Sequence, residues 1–171
     1  MRGVLWCNGS IPSKSVVEWV LSTEAPVFGV DGGADKARSL GIEVIEVLGD
    51  MDSVDESSWK GRTIPLNEQS FSDLAKSIEQ LMDRGFEEIE IVGADGGDPS
   101  HILGNWGSMN DAPSGARIRI HHEEQVSTRI HPDEGEFSAE FENGELFSVF
   151  SIGNGKVWIS GARWEVDGEN L

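Results

Sequence analysis

One cysteine, no tyrosine and only 13 basic residues against 31 acidic ones set this 171-residue sequence apart. The lone Cys7 cannot form an internal disulfide, so the chain is no disulfide-stapled secreted scaffold, and a cytoplasmic location is expected. No apolar run approaches the ~20 residues that a membrane-spanning helix needs. Residues 1–10 carry a single Arg and no long apolar stretch, so they read as a first strand rather than a signal peptide. The shortage of positive charge leaves a formal net charge of -18. Such a surface repels nucleic acid and anionic lipid, which argues against a polynucleotide or membrane partner. An anionic substrate would need metal ions at its site, because two like charges ~4 Å apart cost ~1 kcal/mol even in bulk water. With tyrosine absent, six Trp and seven Phe carry the aromatic burial. The length allows one ordinary core, or a larger and a smaller one.

What is present is a repeating order of strand and helix. A short apolar run at residues 4–7 closes at Asn8-Gly9-Ser10. Helical spacing of Val16, Val17, Val20 and Leu21 predicts a helix over residues 12–22. Strands are expected at residues 27–30, 44–48 and 88–92, with a shorter one near Thr63-Ile64. A helix over residues 34–40 stops at Gly41, a C-cap. Leu74, Ile78 and Leu81 form the stripe of a longer helix, capped by Ser70 or Ser72 and ended by Gly85. Another helix follows Pro99. This order implies an α/β fold, a mostly parallel sheet with helices on both faces. From residue 116 onward, period-two segments at 117–121, 126–130, 136–141, 146–152 and 156–159 predict antiparallel strands. The expected domains are therefore residues 1–112, an α/β nucleotide-binding unit, and 116–171, a small antiparallel β domain.

Ligands in open parallel sheets bind beyond the carboxyl ends of the strands, and the polar turns fall on that edge. Asp50 and Asp52, one residue apart in Gly49-Asp50-Met51-Asp52-Ser53, can converge on one cation, and Mg²⁺ prefers such oxygens. Asp31 leaves the sheet beside Gly32 and Gly33, where a backbone without Cβ atoms lets phosphate approach. Each turn taken alone also reads as a solvated or tight turn, and Asn8-Gly9-Ser10 reads first as a turn and only second as a phosphate or base contact. Gln69 and Asp73 bracket the start of the longer helix, where Asp73 is either a cap or a chemical group. Lys76 lies one turn further, within reach of a phosphate or simply solvated. Gly96 and Gly97 lead to His101 at another helix start. His121, His122 and His131 lack zinc-ligand spacing and read as surface residues.

Taken in order, VDGGADKARSLGI, VLGDMDSV, EQSFSDLAKSIEQLMDRGFEEIEIVGADGG and HILGN resemble the thiamine pyrophosphokinase family. The tail, LFSVFSIGNGKVWISGARWEVDGENL, resembles the start of that family's β domain. The resemblance implies transfer of pyrophosphate from ATP to the hydroxyl of thiamine, giving thiamine diphosphate and AMP. It implies Mg²⁺ on Asp50 and Asp52, and Asp31, Gln69 and Asp73 as catalytic residues. It also implies a nucleotide lined by Asn8, Gly9, Gly32, Gly33, Ser53, Lys76, Gly96, Gly97 and His101. A homodimer is part of the same pattern. The sequence departs from it at named positions. Asp98 and Ser100 stand where the family writes Arg and Asp, Ser70 where it writes Asp, and Asp35 where it writes Asn. The family's β domain continues past the point where this chain reaches Leu171, so two alternatives are open: a naturally short protein, or a fragment with an incomplete β domain. The alternatives are a catalytically impaired nucleotide- or thiamine-binding homologue, and a pyrophosphokinase acting on another alcohol such as a pterin.

Overall fold

A computed structural model describes residues 1–68 and 70–171. They divide into two compact units, Met1–Gly135 and Glu136–Leu171. In the first, five short helical and strand patterns alternate as the periodicity predicts: β1 (Arg2–Trp6), α1 (Lys14–Val20), β2 (Val27–Val30), α2 (Gly33–Ser39) and β3 (Glu46–Gly49). Then come β4 (Thr63–Pro65), α3 (Asp73–Asp83), β5 (Glu88–Val92), α4 (Pro99–Asp111), β6 (Arg117–His121) and β7 (Val126–Thr128). The sheet runs β4-β3-β2-β1-β5-β6-β7, parallel throughout except for the β6–β7 pair. Chain order reverses between β1 and β5, which makes their carboxyl ends the switch point where such sheets hold ligands.

The two faces bury different sets. Leu74, Ile78 and Leu81 of α3 and Met109 of α4 pack on Leu5, Phe28, Ile89, Ile91, Ile118 and Ile120. On the other face, Val20 of α1 and Ala34 and Ala37 of α2 cover Val4, Trp6, Val27, Val47 and Val92. Burying one such aliphatic side chain contributes ~1.5–3 kcal/mol. Ser72 caps α3 by accepting from Ala75 N at 3.1 Å. Cys7 is buried within the first set, and burial pushes its thiol up to about 12, so it is inert.

The sheet reaches further along the chain than the alternation at 117–128 suggests. β6 pairs parallel with β5, Glu88 opposite Arg117 and Glu90 opposite Arg119. The alternation Arg-Ile-Arg-Ile-His has a different cause from an antiparallel β domain. Ile118 and Ile120 extend the apolar face under α3 and α4, while Arg119 and His121 meet the acidic face of β5. Buried Glu90 accepts from Arg2 Nε at 3.2 Å, from Arg119 Nε at 3.0 Å and lies 2.6 Å from His121 Nε2. Burial opposes its ionisation, but the hydrogen bonds from His121, Arg119 and Arg2 prevail and hold its pKa at about 2. His121 is therefore a core residue, 4% exposed, and not the surface histidine expected from its lack of zinc-ligand spacing.

In the second unit, β8 (Lys156–Ile159) and β9 (Val166–Asn170) form an antiparallel pair with an irregularity at Val157/Trp158. The periodic segments at 136–141 and 146–152 form no strand. Their alternating apolar side chains stay exposed, among them Phe141, Leu146 and Phe150. A period-two pattern becomes a strand only where a neighbour completes the hydrogen-bond ladder. No helix among the described residues is long and apolar enough to cross a membrane.

The Glu90 cluster predicts an acid-dependent loss. A carboxylate depressed to about 2 when folded adds stability above the unfolded value near 4.5, lost as pH falls toward 2. Urea melts of the wild type and Glu90→Gln should differ most at neutral pH and converge near pH 2. Parallel curves across that range would show that the carboxylate is not charged in the fold.

Candidate metal and nucleotide site

The carboxyl edge gathers its acidic groups through two strained turns. Asp31 follows β2 with φ of 50°, and Met51 follows β3 with φ of 70°. Left-handed backbone is costly for a residue such as Met and persists only where its surroundings over-determine it. Here the Asp31 side chain supplies a bond, since Met51 N donates to Asp31 Oδ1 at 3.0 Å. Gly49, between them in space, has φ of +146°, and a Cβ there would lie 2.9 Å from Asp31 Oδ1. Only glycine lets the carboxylate sit against the end of β3.

Oxygens of Asp31, Asp50 and Asp73 lie within 4.8 Å of one another, the one such group found among the described residues. They come from the ends of β2 and β3 and the first turn of α3. Asp31 is 7% exposed. Its pKa rises to about 6, first from burial, then from the charges of Asp73 and Asp50, with a smaller push from Asp52. The Met51 N–H opposes that rise. Asp73 Oδ1 is buried and accepts no aligned hydrogen bond, although Lys76 Nζ is 2.7 Å away. Crowded oxygen donors with unsatisfied lone pairs suit a hard divalent cation.

Glycines close the neighbouring wall. Gly32 N donates to Ser53 Oγ at 3.1 Å, and a Cβ on Gly32 would lie 2.6 Å from Asn8 Nδ2. A Cβ on Gly33 would strike the Trp6 carbonyl, and one on Gly9 the Gly93 and Asp95 carbonyls. The loops after β1 and β5 are joined, with Gly9 N on Gly93 O at 2.7 Å and Ser10 N on Asp95 O at 2.5 Å. Lys36 Nζ bridges Asn8 O and Gly9 O at 2.6 Å each. Asn105 Nδ2 holds Ala94 O at 2.7 Å.

A model of the thiamin pyrophosphokinase catalytic domain matches residues 18–120, which hold every member of the three-carboxylate group. This chain belongs to that family. Among solved structures, a probable thiamine pyrophosphokinase from Staphylococcus saprophyticus is similar, with 26% identity and a TM-score of 0.57. The match covers 71% of this chain and 65% of that one. Thiamine pyrophosphokinase from Bacillus subtilis has 21% identity and a TM-score of 0.57, over 70% of this chain and 60% of that one. That from Candida albicans has 14% identity and a TM-score of 0.55, over 70% and 57%. The last two show a shared fold. The chain spans less than two thirds of the length of each of these three structures. No curated protein matches the sequence.

Against the family's expected site, the structure brings together Asp31, Asp50 and Asp73. Asp52 is exposed, outside that group, and its N–H, at 3.1 Å from Asp50 Oδ1, braces the turn. Lys76 is 8% exposed and not solvated. Its ammonium meets Asp73 and donates to Leu66 O at 2.8 Å and Glu68 O at 2.9 Å. Its two hydrogen bonds fix the segment before α3, and its charge lies beside Asp73 without an aligned hydrogen bond. His101 and Gly97 are exposed at the start of α4, and Gly96 is half-buried against Ser10. Gln69 lies outside the described residues.

Two organising residues escape a motif reading. Lys36 falls in a helix that looks solvated. Asp35, where the family writes Asn, accepts from Trp59 Nε1 at 2.9 Å and Asp55 N at 3.0 Å, and pairs with Arg38 at 2.8 Å. A carboxylate with two oxygens meets all three donors, which one amide oxygen could not do as well. It anchors residues 55–59, just past the Asp50 turn.

The raised pKa of Asp31 gives a signed expectation. A carboxyl that is harder to ionise when folded favours the fold at low pH and costs stability as pH rises from the unfolded value near 3.8 through about 6. Without divalent metal, Asp31→Asn should melt above the wild type at pH 7.5 and close to it at pH 4. Mg²⁺ should raise the Tm of the wild type at pH 7.5 and leave the variant unmoved. Equal Mg²⁺ shifts in both proteins would remove Asp31 from any cation site.

Proposed function

We propose that this chain transfers the pyrophosphoryl group of ATP to the hydroxyl of thiamine, releasing AMP, with Asp31, Asp50 and Asp73 holding Mg²⁺. The observation that supports this most is the convergence of those three carboxylates beside glycine-walled loops at the sheet's switch point. Bound Mg²⁺ would offset charge on the phosphate oxygens and orient them, which is most of what phosphoryl-type transfer requires. The chain's own part is positioning. Asn8, Gly9, Gly32, Gly33, Gly96 and Gly97 line the nucleotide, with Ser53 and His101 at its margins. Lys76 keeps Asp73 in place. Gln69 and Asp73 border the reacting groups, where Asp73 orients the attacking hydroxyl. Asp52 adds charge at the metal's outer side. A homodimer and a cytoplasmic location belong to the same reading.

A second reading is nucleotide binding with weak turnover. Asp98, at the position of the family's Arg, is exposed and makes no capping bond with its side chain. A positioned cation that stabilises transferred charge is worth ~10³–10⁵ in rate in related chemistry, and Asp98 places the opposite sign there.

The test is AMP release from MgATP with and without thiamine. Thiamine-dependent AMP is expected, and Asp50→Asn should lower its rate by ~100-fold or more, as loss of a metal-holding partner does. The paired change Asp98→Arg with Ser100→Asp should raise the rate of a weak wild type. MgATP binding in calorimetry without AMP from either protein would select the second reading. No binding at all would remove both.

A further inference from the structure

On the same edge, but over β5, β6 and β7, three side chains form a line that pyrophosphoryl transfer does not use. His122 Nδ1 lies 2.6 Å from Asp95 Oδ1, and His122 Nε2 lies 2.9 Å from Ser127 Oγ. An ionised carboxylate only accepts, so Nδ1 carries the imidazole proton. In the neutral ring Nε2 is then an acceptor, placed to take a hydrogen bond from the Ser127 hydroxyl. That tautomer is the one a histidine needs to draw a proton from a serine, with the carboxylate holding the ring.

The line is set by backbone. His122 N donates to Gln125 O at 2.9 Å, closing the hairpin between β6 and β7. Ser127 pairs with Ile120 in the β6–β7 register. The Asp95 carbonyl is tied to Ser10 N. The His122 and Asp95 side chains are 19% and 40% exposed, so the group is shielded yet reachable. It opens on a cleft of about 410 Å³ that Ile102, Glu123 and Glu124 also line. An apolar wall suits a short acyl group, and exposed Glu123 and Glu124 suit a positive charge on its alcohol.

We infer that Asp95, His122 and Ser127 form a nucleophilic serine site that hydrolyses small acyl esters of cationic alcohols. The inference is independent of the pyrophosphokinase reading. Ser127 Oγ bonds to the ester carbonyl carbon as its proton passes to His122 Nε2. The carbon–oxygen bond to the alcohol breaks, and the alcohol leaves with that proton. Water then gives a proton to Nε2 while its hydroxide bonds to the acyl carbon. Ser127 departs, takes the proton back, and a carboxylic acid is released. Asp95 is a positioning residue for the ring.

The experiment treats the full chain with diisopropyl fluorophosphate and maps adducts by peptide mass spectrometry, so the wild type itself reports whether Ser127 reacts. A diisopropylphosphoryl adduct on Ser127 is expected, along with hydrolysis of acetylthiocholine faster than of p-nitrophenyl acetate relative to their rates in buffer. Ser127→Ala should abolish both labelling and turnover. His122→Gln should slow labelling ~100-fold or more. An unlabelled Ser127 in protein with an unchanged circular dichroism spectrum would overturn the site and leave the three groups as hairpin bracing. Labelling with p-nitrophenyl acetate turnover alone would overturn the cationic preference.

Discussion

Repulsion among three buried or half-buried carboxylates is the constraint around which the carboxyl edge is built. Asp31, Asp50 and Asp73 lie within 4.8 Å, in a chain already carrying a charge of -18. Nothing in the apolar core requires them there. They are held by left-handed backbone at Asp31 and Met51, by a glycine at position 49, and by a buried lysine whose charge lies beside Asp73. Strain gathered where charge is also concentrated is the usual mark of a functional site. A divalent cation bound there, as proposed, would convert that local cost into binding energy.

The architecture puts those groups to use. The order reverses between β1 and β5, and the loops after both strands are joined through Gly9 and Gly93. Carboxylates gather over β2 and β3 on one side. The Asp95–His122–Ser127 line stands over β5, β6 and β7 on the other. One sheet edge thus carries two chemically distinct clusters, joined by backbone through Ser10 and Asp95.

Much of this was legible in the sequence because turn chemistry is local. Strand runs ending in Asp-Gly-Gly and Gly-Asp-Met-Asp announce a sheet edge of acidic, glycine-rich turns, and the Leu74, Ile78 and Leu81 stripe announces α3. What was not legible depends on partners distant in the chain. Period two at 117–121 has the same look whether its polar face meets water or Glu90, and only the fold pairs it with β5. The segments at 136–141 and 146–152 carry a strand's alternation but form no strand. Asp50 and Asp52 read as a pair from spacing, whereas left-handed Met51 separates them and Asp73 supplies the third oxygen. Asp35 and Lys36 bear on the site through contacts more than 20 residues away, which no short motif encodes. The serine line joins residues 27 and 5 apart, brought together by the β5–β6 pairing and the β6–β7 hairpin.

The central claim is a divalent cation held by Asp31, Asp50 and Asp73 together. The most direct measurement is an anomalous difference map from crystals grown with Mn²⁺ and a non-hydrolysable ATP analogue. A peak coordinated by oxygens of all three side chains is the result this account predicts. A peak bound by Asp52 without Asp31, or none at that edge with the nucleotide present, would contradict it.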